Sequence, residues 1–312
     1  MAQTLLFPRC EVRHIAAWLA GATVLLLWAP TADATVVDSA KSQKDVAQDI
    51  EMIYEGERSG MAPLKLGRLW AHLASDYEDA MEIVKSEDAY NHALRLMEGV
   101  VEARLDYAIV LDNLGSMYVM SGDLIEAERC RMRSLAARVE MGDRLEIARG
   151  RAHLAEVQLG RHRFKEAEEE SRAAFDEMLA VKDTDAGDLV STMVTLIYAE
   201  CVHDGCAQGL VDAHKASALA VGAFGANSIP VGQTHLALGY AEWKAGVKDG
   251  PDAEMRTGIE LMKEQTGPGH PYVLSALEQY KAGQLEETGP AVASPQPAQP
   301  GAAAPAPAAG NP

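Results

Sequence analysis

A short apolar signature returns along this chain at a nearly constant interval. A Leu followed by a small residue is succeeded, about ten residues later, by an apolar residue, two variable residues and an Ala. Leu114-Gly115 leads to Leu124-x-x-Ala127, and Leu154-Ala155 leads to Phe164-x-x-Ala167. Upstream, Trp70-x-x-Leu73-Ala74-x-x-Tyr77 leads to Tyr90-x-x-Ala93. Downstream, Leu196-Ile197 leads to Cys206-x-x-Gly209, and Leu238-Gly239 to a looser helix near Ala253. The Leu anchors at 73, 114, 154, 196 and 238 lie 41, 40, 42 and 42 residues apart. Such a period marks a repeat architecture, because no single unit can bury its apolar face alone.

Each unit holds two segments with apolar residues at i, i+3, i+4 and i+7, split by a short turn such as Ser121-Gly122-Asp123. That is a helical hairpin, repeated five times. The small residue after the Leu admits the second helix, and the later Ala does the same from the other side. Only 5% of residues are aromatic, and the wealth of Ala and Leu with few strand-formers also favours an all-α chain. Stacked hairpins then wind into an α-solenoid whose ends are covered by capping helices. Residues 35–66 are expected to supply the N-terminal cap, with a leading helix over 38–58 started by Asp38 or Ser42, and 67–287 the solenoid. Pro271–Glu286 is expected to be its closing helix. Gly209 in place of Ala, and Ile197 in place of Gly, predict a looser fourth unit.

The repeats resemble the tetratricopeptide family. Trp70, Leu73, Ala74 and Tyr77 match its W-x-x-L-G-x-x-Y core, and Leu114, Gly115 and Tyr118 its later part. The long period resembles the kinesin-light-chain subtype. So do two connectors, Phe224-Gly225 through Pro230-Val231 and Gly267-Pro268-Gly269-His270-Pro271-Tyr272-Val273, although Ile229 stands in the first where His is usual. The resemblance covers about residues 67–284 and implies a right-handed α-solenoid of about five hairpins. It also implies partner peptides lying in a concave groove lined by the first helix of each hairpin. Its groove positions fall on Arg68, Ser75, Asp112, Asn113, Ser116, Arg149, Glu156, Ser191, Tyr198, Gln233, Tyr240 and Trp243. Aromatics gather at the C-terminal end of that set, which makes the last two units the preferred anchor site. The carboxylate clamp of the family's chaperone-binding branch is missing, since its places hold Ala71, Ser75, Asn113, Arg149 and His153.

The two ends of the chain differ from its body. Arg9 and Arg13 precede an unbroken apolar or small run from Ile15 to Trp28, and Ala32-Asp33-Ala34 offers a signal-peptidase site. Residues 1–34 therefore read as a signal peptide cleaved after Ala34, which places the mature protein in a periplasm or outside the cell. The alternative, an uncleaved anchor, would need about 20 apolar residues. Residues 288–312 hold seven Pro, nine Ala and no charge among 25, a composition that reads as a disordered spacer reaching at most about 75 Å.

Cleavage removes two basic residues (Arg9, Arg13) and two acidic ones (Glu11, Asp33), so the net charge stays at −18. So acidic a chain is poorly suited to nucleic acid or to an anionic membrane surface. Phosphate-binding loops, zinc-protease, nucleophile-elbow and Cys-x-x-Cys motifs are absent from the sequence. The acidic run Glu166, Glu168, Glu169 and Glu170 falls on a solvated helix face. Cys201-Val-His203-Asp204-Gly205-Cys206, with His214 beyond, offers thiolate and imidazole ligands. The repeat register instead gives Cys201 and Cys206 core and turn positions, where they pack or bridge as a local disulfide. Cys130 reads as plain core. No cofactor, metal or catalytic residue is expected. The chain reads as an exported, non-enzymatic scaffold binding another protein or peptide, with a metal- or redox-responsive Cys201/His203/Cys206 module as the rival.

Overall fold

The computed structural model describes residues 39–281, apart from residues 204, 249, 270–272, 275 and 279. The expected signal peptide, the cap at Asp38, the connector residue His270 and the Pro/Ala tail lie outside the described residues. Helix α1 (Ser39–Ser59) leads into five hairpins: α2 (Pro63–Asp79) with α3 (Ile83–Met97), α4 (Arg104–Ser121) with α5 (Leu124–Met141), α6 (Arg144–Gly160) with α7 (Phe164–Ala180), α8 (Ala186–His203) with α9 (Ala207–Phe224), and α10 (Ile229–Lys244) with α11 (Pro251–Thr266). Each hairpin packs on the next in chain order, giving a right-handed α-solenoid. Val273 and Ala276, in helical backbone beyond α11, bury themselves against Ile259 and Met262 and so close that end. Among the described residues there is no strand.

The turns form where local chemistry dictates. Gly122 and Gly142 take left-handed φ values of 83° and 72° to end α4 and α5, a conformation that costs Gly little. The next residues, Asp123 and Asp143, accept the backbone N–H groups of Glu126 (3.1 Å) and Glu146 (3.0 Å) and thereby cap α5 and α6. Pro63 and Pro251 open α2 and α11 at the first helical position, where a missing N–H does no harm.

One stripe on each second helix faces the core. Alternating steps of four and three residues align Ser86, Tyr90, Ala93 and Met97 on α3 with Ala127, Arg131, Ser134 and Arg138 on α5. The same register continues as Ala167, Ser171, Ala174 and Met178 on α7, and Gly209, Ala213, Ala216 and Ala220 on α9. All sixteen are buried. This corrects the first unit of the sequence reading: Ile83-x-x-Ser86, not Tyr90-x-x-Ala93, is the counterpart of Leu124-x-x-Ala127, because α3 begins ten residues after Leu73 as α5 and α7 begin ten after Leu114 and Leu154. Close helix crossing depends on missing side chains at α10 and α11. A Cβ on Gly258 would sit 2.5 Å from the Gly232 carbonyl oxygen, and one on Gly239 would sit 2.8 Å from that of Pro251.

The fourth unit is not loosened by its departures from the pattern. Ile197 is fully buried, and the space that Gly209 leaves on α9 is taken by the Cys201 side chain of α8. A Cβ there would meet the Cys201 sulfur at 2.6 Å. Volume is exchanged across the seam, so packing density is kept.

Candidate functional site

First helices of neighbouring hairpins approach one another, α2 with α4, α6 with α8 and α8 with α10. The residues expected to line the groove all lie on these first helices, whose shared face is tied between neighbours. Two of its ties repeat the same register. Arg68 on α2 forks onto Asp106 at the start of α4, with Nε–Oδ1 at 2.6 Å and Nη2–Oδ2 at 2.9 Å. Arg149 on α6 holds Asp188 on α8 through Nε at 2.8 Å. Each Arg lies five residues before its repeat's Leu anchor, and each Asp eight before the next repeat's anchor.

Between those ties runs a buried ionic chain. Asp112 on α4 faces Arg138 at 2.5 Å, Arg131 at 3.2 Å and His153 at 3.1 Å. Arg131 also donates to Ser116 Oγ at 2.9 Å, and Arg138 reaches Glu146, whose other oxygen takes Arg149 at 2.6 Å. Burial by itself would raise the Asp112 carboxyl. His153, Arg131 and Arg138 outweigh it and hold that carboxyl well below the usual carboxylate range. The chain crosses α4, α5, α6 and α8, so it fixes the relative rotation of three hairpins. Glu156, half-buried beside this chain, has its carboxyl raised by burial, with His153 and Arg131 opposing.

At the other end the face becomes aromatic. Tyr198 on α8 and Tyr240 on α10 pack with ring centroids 4.9 Å apart, and Trp243 lies 5.8 Å from Tyr240. Lys244 sits over the Trp243 ring at 4.2 Å, a cation–π contact. Tyr198 is only 2% exposed, whereas Tyr240 and Trp243 are half-buried and keep accessible ring surface.

The expected groove residues thus divide by burial. Arg68 and Ser75 are exposed. Asn113, Ser116, Arg149, Glu156, Ser191, Tyr240 and Trp243 are partly so. Asp112, Tyr198 and Gln233 are buried, so they support the face from below instead of presenting surface to a ligand. Asp112 falls on the core register shared by Ala152, Val194 and Leu236. The sequence reading missed Arg131 and Arg138 altogether. Their signal was the step of four, three and four from Ala127, which placed them on the stripe that carries Met97 and Met178 elsewhere.

A second buried carboxylate lies at the junction of α7, α8 and α9. Glu200 is 2% exposed and pairs with Arg172. Burial, with Asp212 and Glu168 adding repulsion, pushes its carboxyl up to about 7 against the pull of Arg172. Next to it Cys201 and Cys206 form a disulfide, and His203 Nδ1 lies 2.9 Å from Glu168 Oε2. The bridge removes both thiolates from ligand duty, so the metal-binding Cys201/His203/Cys206 module is not favoured. Cys130 is buried and burial pushes its thiol up to about 11.

No protein-family model matches the chain, and no curated protein matches it. Solved structures do. BtubC (BKLC) from P. vanneervenii aligns with a TM-score of 0.55 at 15% identity, covering 86% of this chain and 97% of that one. The apo form of RapI aligns with a TM-score of 0.61 at 13% identity, covering 79% and 93%. Kinesin-light-chain-type TPR-like repeats from Podosopora anserina align with a TM-score of 0.52 at 12% identity, over 65% and 97%. The shared property is the fold, a solenoid of TPR-like helical hairpins. No helix among the described residues is long and apolar enough to cross a membrane.

Proposed function

We propose that this chain is an exported, non-enzymatic scaffold that captures a protein or peptide on the inner face of its solenoid. The observation that carries the reading is the aromatic end of that face, where half-buried Tyr240 and Trp243 are braced by Tyr198 and flanked by Lys244. Aromatic rings held by packing offer a partner large contact area at little entropic cost. Arg68, Asp112, Ser116 and Arg149 in the polar stretch are paired within the protein, which suits register and selectivity more than anchoring. Export rests on residues 1–34, with the mature chain free in a periplasm or outside the cell, and the kinesin-light-chain period on the spacing of the Leu anchors. The partner class is protein, not nucleic acid or membrane, given a net charge of −18.

Photo-crosslinking in cells from position 243, with exposed Glu169 as control, tests the reading. A discrete adduct from 243 alone is expected and would name the partner by mass. An identical smear from both positions, or no adduct at all, would remove the aromatic end as a docking site.

A further inference from the structure

The first repeat has an oddity at its outer seam. Three residues after each Leu anchor, the later repeats bury an apolar side chain: Met117, Val157, Ala199 and Ala241. In the first repeat that position is Asp76. It faces α1, and α1 presents Asp49 there, a carboxylate only 3% exposed. Two carboxylates thus meet at a position whose counterparts in the later repeats are apolar.

The contrast with Asp112 shows what is missing. That buried carboxylate has two guanidinium groups and an imidazole around it. Asp49 and Asp76 have neither Arg nor Lys as an ion-pair partner among the described residues; their shared partner is His72. Its Nδ1 lies 2.5 Å from Asp49 Oδ2 and 3.8 Å from Asp76 Oδ2. Asp76 Oδ2 is shut off from solvent and has no hydrogen-bond partner among the described residues. Burial raises the Asp76 carboxyl, and Asp49, Asp45 and Asp79 add to that while His72 opposes it. Two largely buried carboxylates that share a single imidazole are under-compensated, which is costly, and a cation would relieve it.

We propose that Asp49, His72 and Asp76 bind a divalent transition-metal ion of the zinc class, which fastens the leading helix α1 to the first repeat. The three ligand atoms already lie within 4.8 Å of one another. Around a tetrahedral zinc such atoms stand about 3.4 Å apart, so the His72–Asp49 contact opens by roughly an ångström as the ion replaces the proton between them. His72 is exposed on its outer side (66% of its side chain), which leaves an entry path and room for a water as fourth ligand. The imidazole distinguishes the site from one for magnesium or calcium, which prefer oxygen alone. Its consequence is mechanical: a clamp across α1 and α2 at the open end of a solenoid, where terminal units otherwise fray.

The test titrates the full chain, stripped with chelator, by calorimetry with zinc chloride, and in separate runs with magnesium and calcium chloride. One zinc per chain is expected, with at least about tenfold weaker binding in His72→Ala and in Asp76→Asn. Zinc should also slow proteolysis within α1 in the wild type and not in His72→Ala. The His72 side chain is largely exposed, so its removal leaves the fold intact, as circular dichroism would verify. Absence of zinc binding overturns the proposal. So does zinc binding that survives both substitutions, or magnesium or calcium binding as tight as that of zinc.

Discussion

Tyr198 and Tyr240 hold the same place in consecutive repeats, two residues past the Leu anchor, and meet ring against ring at 4.9 Å. The pair is unequal. Tyr198 is sealed beneath its neighbour, and Tyr240 carries the accessible surface. One residue is therefore structural and the other is open to a partner, although sequence register makes them equivalent.

Substitution separates those roles. Tyr198→Ala empties a fully packed site and is expected to cost about 3–5 kcal/mol in urea denaturation. Tyr240→Ala with Trp243→Ala should cost less stability and abolish crosslinking from a neighbouring groove position. Loss of stability in the second variant equal to that in the first would mean that both rings belong to the core.

Asp112 should behave as the keystone of the ionic chain. Asp112→Asn leaves Arg131 and Arg138 buried without their counter-charge, at an expected cost of about 3–5 kcal/mol. The pH dependence has a definite sign. The folded carboxyl is held below its unfolded value, so its stabilisation is present above about pH 4 and is lost only as pH falls through the folded value. At pH 4 the wild type should therefore still exceed the variant in stability. Convergence of the two there would place Asp112 outside the chain.

Glu200 carries the opposite sign. Its carboxyl is raised to about 7, so folding favours the protonated form, and the penalty is full above that pH and gone below about pH 4. Relative to Glu200→Gln, the wild type should lose stability as pH rises from 5 to 8, by on the order of 2 kcal/mol. Parallel pH–stability curves for the two proteins would rule this out.

The sulfur chemistry predicts silence followed by one signal. With Cys201 and Cys206 bridged and the buried Cys130 thiol raised to about 11, the chain from residue 35 onward should not react with a thiol reagent at pH 8 while folded. Unfolding without reductant should release a single thiol. Replacing both bridged cysteines by Ala should lower stability by about 2 kcal/mol, the value for so short a loop, without changing helix content. Three reactive thiols in the oxidised, unfolded chain would disprove the bridge.

Much of this is legible in the sequence. Leu anchors at a steady interval, Gly122-Asp123 between two helical periods, and Ala127 and Ala167 on the second helices all act through local periodicity, and the hairpins follow from them. The first repeat was read out of register because Tyr90-x-x-Ala93 imitates the pattern one stretch downstream of its true counterpart, Ile83-x-x-Ser86. Arg131 and Arg138 were legible by position but not by chemistry. A guanidinium on a core stripe makes sense only once Asp112 is seen opposite it.

The amino-acid sequence specifies the number of hairpins and most of their turns, because those depend on residues within one or two helical turns of each other. What each polar position on a stripe faces is settled by the stacking of the hairpins. Asp112 meets two arginines, Tyr198 is covered by Tyr240, and Asp49 and Asp76 meet around His72, since in each case the neighbour comes from another helix. Burial and charge compensation are properties of such seams, and a seam exists only after the hairpins have stacked.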